Sequence, residues 1–278
     1  MKIKYLGTAA AEGIPAMFCE CDNCKKSVKL GGRNIRTRSQ ALIDDSLLID
    51  FPADTYVHFL QHRIPLHKIR SCLITHSHSD HLYVGDIAMR KKGFAHISED
   101  DNPLTFYSDL SGYKLIEAEL SYHKISDSDV RNVLIGLYEP FRVGGFMVTA
   151  LRASHDFVSS PVLYLVEKGN KTLFYCHDTS EYPKESMDYL RTLKRPLGLI
   201  SLDCTEACRP VTYVGHLSLE RCITLRDKLL DEGIADSHTI FVLNHFSHNG
   251  VNVVYEEFVP IAEKHGFLVS YDGMEIEF

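Results

Sequence analysis

Residues 75–82 read Thr-His-Ser-His-Ser-Asp-His-Leu, placing three imidazoles and one carboxylate in the six positions from His76 to His81. They close an apolar run, Ser71-Cys72-Leu73-Ile74, expected as part of a buried strand over Lys68–Thr75. Loops that follow buried strands are where sites are commonly built. As the chain turns there, alternate side chains face two ways. His76 and His78 are then available to one metal, and Asp80 and His81 to a second. Imidazole nitrogen combined with carboxylate oxygen suits zinc, manganese or iron.

Composition narrows the setting. The chain has 278 residues, of which 45% are hydrophobic, enough for a sizeable core. No stretch of about 18 uninterrupted apolar residues is present, so no membrane span is expected. Met1 to Gly7 alternates charged and apolar residues and reads as a strand rather than a secretory signal, which makes the cytoplasm the expected location. Eight cysteines in such a chain point to metal or buried thiols before disulfides. A net charge of −7 weighs against a general nucleic-acid binder.

Strand-like runs recur in two groups. Lys2–Leu6 is followed by the small-residue loop 7–13, and Ser39–Ile43 and Ser46–Asp50 read as a hairpin around Asp44-Asp45. Thr55–Gln61 reads as a helix. Residues 96–133 carry weaker periodicity and many charges, with an exposed strand "PLTFYS", and are expected to form a cap over a site. The second group contains "GGFMVTALRA", "PVLYLVEKG", "KTLFYCHDT", "PLGLISLD" and "HTIFVLNHFSHNG". Leu219, Cys222, Leu225 and Leu229 sit at helical spacing, with Gly233 as a stop. There is no repeat or linker. Two strand-and-helix halves packed sheet against sheet give an α/β (α+β) class, four-layer αβ/βα sandwich, as one domain over residues 1–278.

The motif set resembles the metallo-β-lactamase superfamily of metal-dependent hydrolases, over roughly residues 1–250. The resemblance assigns His76, His78 and His155 (in "RASHD") to a first metal. Asp80, His81 and His245 (in "VLNHFSH") go to a second, with Asp178 (in "FYCHDTS") bridging them. Asp50 in "LLIDFPADT" matches the aspartate that orients a histidine ligand. His177 beside Asp178 and Asp156 beside His155 compete as ligands. Neighbouring strand residues face opposite sides, so one of each pair points away; the family pattern favours Asp178.

Cys19, Cys21 and Cys24 give C-x-C-x2-C, and three thiolates leave a tetrahedral zinc site one ligand short. Within the superfamily the chain looks similar to PhnP-type phosphodiesterases, which open a cyclic ribose phosphate. Their pattern supplies the fourth ligand three residues beyond the last catalytic histidine, here His248. A structural zinc on Cys19, Cys21, Cys24 and His248 is the implied cofactor, alongside two active-site divalent metals, manganese or zinc, with iron also compatible. Cys204, Cys208, Cys72, Cys176 and Cys222 read as loop or core thiols.

Two metals about 3.5–4 Å apart hold both the attacking and non-bridging oxygens of a phosphodiester. The expected reaction is attack of a metal-bound hydroxide on a small diester, such as a cyclic ribose phosphate or a nucleotide diester. His216 in "YVGHLSLE" is the expected proton donor to the leaving oxygen. Arg33, Arg36 and Arg38 are available for phosphate contacts, though a solvated loop is the commoner meaning of such a run. Alternatives are tRNA 3′ processing, a lactone or thioester hydrolase, and a PqqB-like non-catalytic or partner protein, whose family also carries an early cysteine knot. A homodimer is carried over from the family.

Overall fold

The computed structural model describes residues 1–101, 103–156, 158–210 and 214–278. Local chemistry sets many elements. Asp44 and Asp45 adopt φ of 45° and 53°, the left-handed pair a tight hairpin needs between β2 (Gln40–Ile43) and β3 (Leu47–Ile49). Gly169, at φ 60°, turns β9 (Val162–Lys168) into β10 (Lys171–Cys176). The Ser218 side chain caps the helix Leu219–Asp231 by accepting from Arg221 N, and that helix buries Leu219, Cys222, Leu225 and Leu229 on one face.

The strands form two seven-stranded sheets. The first runs β14 (Glu275–Glu277), β1 (Lys2–Gly7), β2, β3, β4 (Ser71–Leu73), β5 (Leu104–Ser108), β6 (Val130–Leu134). The second runs β13 (Leu268–Val269), β12 (Ile240–Asn244), β11 (Leu199–Asp203), β10, β9, β8 (Phe146–Arg152), β7 (Phe141–Val143). Pairings from β3 to β6 and from β10 to β13 are parallel. Parallel neighbours need crossovers, and helices supply them: α2 (Thr55–His62) and α3 (Leu110–His123) in the first half, and α4 (Lys184–Arg191), α5 (Leu219–Asp231) and α6 (Tyr255–Glu263) in the second. Among the described α-helices, α1 (Asp22–Leu30) lies outside a parallel crossover.

The four-layer sandwich follows from strands buried on both faces. In β10, Leu173 and Tyr175 pack between the sheets while Phe174 and Cys176 face the helices. Buried hydroxyls cross the sheet interface with partners: Tyr5 donates to Ser201 at 2.9 Å and Tyr164 donates to the Ile74 carbonyl at 2.7 Å. The end of β1 runs close to loop 36–38. A Cβ on Gly7 would lie 1.9 Å from the Arg38 carbonyl oxygen, so only glycine fits. Among the described residues, no helix is long and apolar enough to cross a membrane.

Two expectations need correction. Residues 96–133 are not a separate cap: they supply β5, α3 and β6, with β5 hydrogen-bonded between β4 and β6. The alternating burial of Leu104–Ser108 reflects a strand near the sheet's edge, which sequence alone reads as exposed. The strand expected over Lys68–Thr75 is regular only at Ser71–Leu73, because Leu66–Lys68 forms a 3-10 turn.

Candidate active site

The site lies where strands end at one rim of the sandwich. The loop carrying His76 to His81 follows β4, His155 follows β8, Asp178 follows β10 and His245 follows β12. Three residues that follow strands, Asp50 after β3, Asp178 after β10 and His245 after β12, hold left-handed backbone at φ 68°, 54° and 64°. Non-glycine residues pay for that conformation, and it concentrates at functional sites.

Each histidine uses one ring nitrogen as an anchor and turns the other inward. His81 Nδ1 lies 2.7 Å from Asp50 Oδ2, and Asp50 Oδ1 accepts from Thr75 N and Oγ1 at 2.8 and 2.9 Å. His245 Nδ1 is 2.9 Å from Thr205 Oγ1, His155 Nδ1 is 3.1 Å from the Gly215 carbonyl, and His76 Nδ1 is 3.1 Å from Thr75 Oγ1. His78 is reversed: its Nε2 is 3.4 Å from Asp156 Oδ2 and its Nδ1 points inward. Such anchors fix the tautomer and ring orientation of a metal-ligating imidazole.

The inward nitrogens form two groups. His78 Nδ1 lies 2.9 Å from His76 Nε2 and 3.3 Å from His155 Nε2. His81 Nε2 lies 3.3 Å from His245 Nε2 and 3.2 Å from Asp80 Oδ2. Asp178 spans both: Oδ2 is 3.0 Å from His81 Nε2 and 3.1 Å from His245 Nε2, and Oδ1 is 3.6 Å from His155 Nε2. Asp178 Oδ2 is buried, yet among the described residues no N–H is well directed at it. A buried carboxylate oxygen facing imidazole nitrogens without a hydrogen bond fits a divalent cation between them.

Electrostatics agree with that fit. Burial holds His76 and His245 well or moderately below the ordinary imidazole range, favouring the neutral form that ligates metal. Burial also opposes charge on His81, but Asp178, Asp80 and Asp50 overcome it and raise its proton affinity. A cation bound here would compete with that proton, so metal loading is expected to weaken as pH falls.

The pocket above this centre has a volume of about 310 Å³. His216 lines it, with its ring centroid 4.8 Å from that of His155. Its Nδ1 is 2.8 Å from Asp203 Oδ2. Burial would lower the His216 pKa, but the Asp203 charge and hydrogen bond raise it to about 9. Asp203, which the sequence reading passed over, is fully buried and uses both oxygens: Oδ1 accepts from Thr205 N and Leu217 N at 3.0 Å each, and Oδ2 also accepts from Asp178 N at 3.0 Å. Its one signal in sequence is that it ends a strand, as Asp50 nearly does. His177 turns away into the interior, with Nε2 2.8 Å from Ser201 Oγ.

Arg33, Arg36 and Arg38 do not line the pocket. Arg33 stacks on Tyr271, Arg36 is buried over Phe246, and Arg38 pairs with Asp54 at 3.2 Å. Among the described residues that line the pocket, the one with a permanent positive charge is Arg209, which no sequence motif marked.

Cys19, Cys21, Cys24 and His248 converge separately, with ligand atoms all within 4.8 Å of one another. His248 Nδ1 lies 3.4 Å from Cys19 Sγ and 3.6 Å from Cys21 Sγ. Cys21 caps α1, its sulfur accepting from Cys24 N at 3.5 Å. Burial opposes its ionisation, but His248 and the Cys24 N–H hold the thiol down to about 6. Asn23 Nδ2 fastens α1 to the same loop by donating to the His248 and Gly250 carbonyls at 2.9 Å each.

Residues 47–235 match the family model described as the beta-lactamase superfamily domain. The chain belongs to this superfamily. Among beta-lactamase superfamily folds, a diphosphatase from the PhnP family superposes with a TM-score of 0.74 at 20% identity, covering 100% of this chain and 97% of that one. Zn(2+)-bound PqqB from Methylobacterium extorquens superposes with a TM-score of 0.75 at 19% identity, covering 100% of both chains. The short form of human tRNase Z gives 0.66 at 16% identity, covering 100% of this chain and 99% of the other. No curated protein sequence matches. At these identities the likeness shows the fold, and the His/Asp clusters at its rim are grouped closely enough to hold divalent metal.

Proposed function

We propose that this superfamily member is a dinuclear metal-dependent phosphodiesterase acting on a small diester. His76, His78 and His155 would hold one metal, Asp80, His81 and His245 the other, and Asp178 would join them. When bound, divalent cations supply Lewis-acid charge that lowers the pKa of water and draws electron density from a phosphoryl oxygen. The chain's own residues do the rest. Asp50, Thr205, Asp156 and the Gly215 carbonyl hold the imidazoles in register. Cys19, Cys21, Cys24 and His248 would hold a structural zinc that ties α1 to the loop following His245.

The observation that carries this reading is the Asp203–His216 pair, 2.8 Å apart at the pocket wall. In the metal-free chain a pKa of about 9 leaves His216 protonated at neutral pH. A phosphodiester's leaving alkoxide needs a proton as the bond breaks, and His216 is placed to give it. A non-catalytic PqqB-like role has support from overall shape, but it gives no reason for a raised imidazole beside seven convergent ligands.

The test is substrate preference. Metal-loaded protein is expected to hydrolyse bis(p-nitrophenyl) phosphate with kcat/KM at least about tenfold above that for p-nitrophenyl acetate or a γ-lactone. A preference for ester or lactone would move the chain to carbon substrates, and no turnover of any would favour the partner role.

A further inference from the structure

The pocket's charge is unevenly arranged, and that arrangement selects a substrate. Arg209 ends a turn that begins at Thr205, the residue whose hydroxyl lies 2.9 Å from His245 Nδ1 and 3.1 Å from His216 Nδ1. The turn is tightly fixed. Arg209 N donates to the Glu206 carbonyl at 2.8 Å, Cys208 N to Val251 at 3.0 Å, and Leu219 N to Ala207 at 2.8 Å. Gly250 packs so close that a Cβ there would lie 3.2 Å from the Glu206 backbone. A rigid base of this kind fixes where the Arg209 backbone stands, and its side chain lines the pocket that holds the histidine cluster.

The guanidinium itself is lightly held. Among the described residues its nearest acid is Glu206, at 3.8 Å from Nη1 to Oε2, an attraction without a hydrogen bond. Its planar fork therefore keeps donors for a ligand, in the geometry that carboxylate and phosphate match. On another part of the pocket lining, Glu12 accepts from Asn249 Nδ2 at 3.4 Å and contributes negative charge. Glu206 also lines the pocket beside Arg209, so an anion binds at Arg209 in place of that loose 3.8 Å contact, whereas Glu12 offers no cation to receive one.

We propose that Arg209 is a specificity residue that binds a second anionic group of the substrate, a carboxylate or phosphate set apart from the scissile phosphorus. The role rests on the phosphodiesterase reading for its substrate class. It implies that the substrate carries at least two negative charges, one at the metal centre and one at Arg209.

Calorimetric binding to the metal-loaded protein tests this without turnover, using phenylphosphonate and 4-carboxyphenylphosphonate as probes. Wild type is expected to bind the carboxylated probe about tenfold more tightly. In Arg209→Ala that preference should collapse to within about twofold, with Arg209→Lys between the two, since lysine keeps the charge but loses the fork. No preference in wild type, or one that survives in Arg209→Ala, overturns the assignment. Bis(p-nitrophenyl) phosphate has no second anion, so its turnover judges the phosphodiesterase reading separately. Probe preference without diester turnover would sink that reading and keep Arg209 as an anion site; turnover without preference would do the reverse.

Discussion

Asp178→Asn is expected to lower turnover of bis(p-nitrophenyl) phosphate by roughly 10³-fold and to strip metal from the histidine centre. Asp178 touches both ligand groups: Oδ2 sits 3.0 and 3.1 Å from His81 and His245, and Oδ1 sits 3.6 Å from His155. An amide removes the negative charge from between the two proposed metals. It also turns an NH2 group toward nitrogens that must present lone pairs. The substitution is a clean probe because asparagine tolerates the left-handed backbone, φ 54°, that Asp178 already adopts. Folding should survive while metal content and kcat fall together. Elemental analysis beside steady-state kinetics checks this, and full metal content with full activity would remove Asp178 from the bridging position.

Asp203→Asn should cost about a hundredfold in kcat and shift the alkaline limb of the kcat profile to lower pH. The carboxylate accepts from four donors: Thr205 N, Leu217 N and Asp178 N at 3.0 Å each, and His216 Nδ1 at 2.8 Å. An asparagine NH2 must face two of those donors, and His216 loses its charge partner whichever way the amide turns. His216 carries a pKa near 9 against an ordinary 6.5. Without Asp203 burial dominates, and the imidazole is neutral at the pH where a proton is wanted. Bound metal cations also repel the imidazolium and pull the wild-type limb below 9, so the diagnostic is the difference between the two proteins. Folding of the metal-free protein carries the same signature. The stability His216 gains from its raised pKa is fully present below about pH 6.5 and is lost as pH rises through 9. Unfolding midpoints should lose that alkaline decline in Asp203→Asn. Parallel pH profiles in the two proteins would place His216 outside proton transfer.

Legibility in the sequence followed how local each signal was. His76 to His81 announce themselves because their spacing and the preceding apolar strand lie within a dozen residues. Leu219, Cys222, Leu225 and Leu229 marked α5 for the same reason, and the turn residues Asp44-Asp45 marked a hairpin. Asp203 was invisible because a strand-final aspartate is ordinary, and its partner His216 is 13 residues away on another loop. Arg209 was hidden differently: the basic run 33–38 drew attention, but those side chains are engaged by Tyr271, Phe246 and Asp54. The place of Leu104–Ser108 inside the first sheet depends on pairing with Ser71–Leu73 and Val130–Leu134, which no local pattern encodes.

The most direct measurement is metal per chain by elemental analysis after purification and exhaustive dialysis, in wild type and Cys21→Ser. Two histidine-centred sites and one cysteine-centred site imply about three divalent ions in the loaded wild type, one of them zinc that resists dialysis. Cys21→Ser should lose that one zinc, while the metals at His76, His78, His155, Asp80, His81, His245 and Asp178 reload on addition of manganese or zinc. A loaded wild type that holds no metal at the histidine cluster, or a Cys21→Ser variant that keeps its tight zinc, would contradict the two-centre architecture on which the hydrolytic mechanism rests.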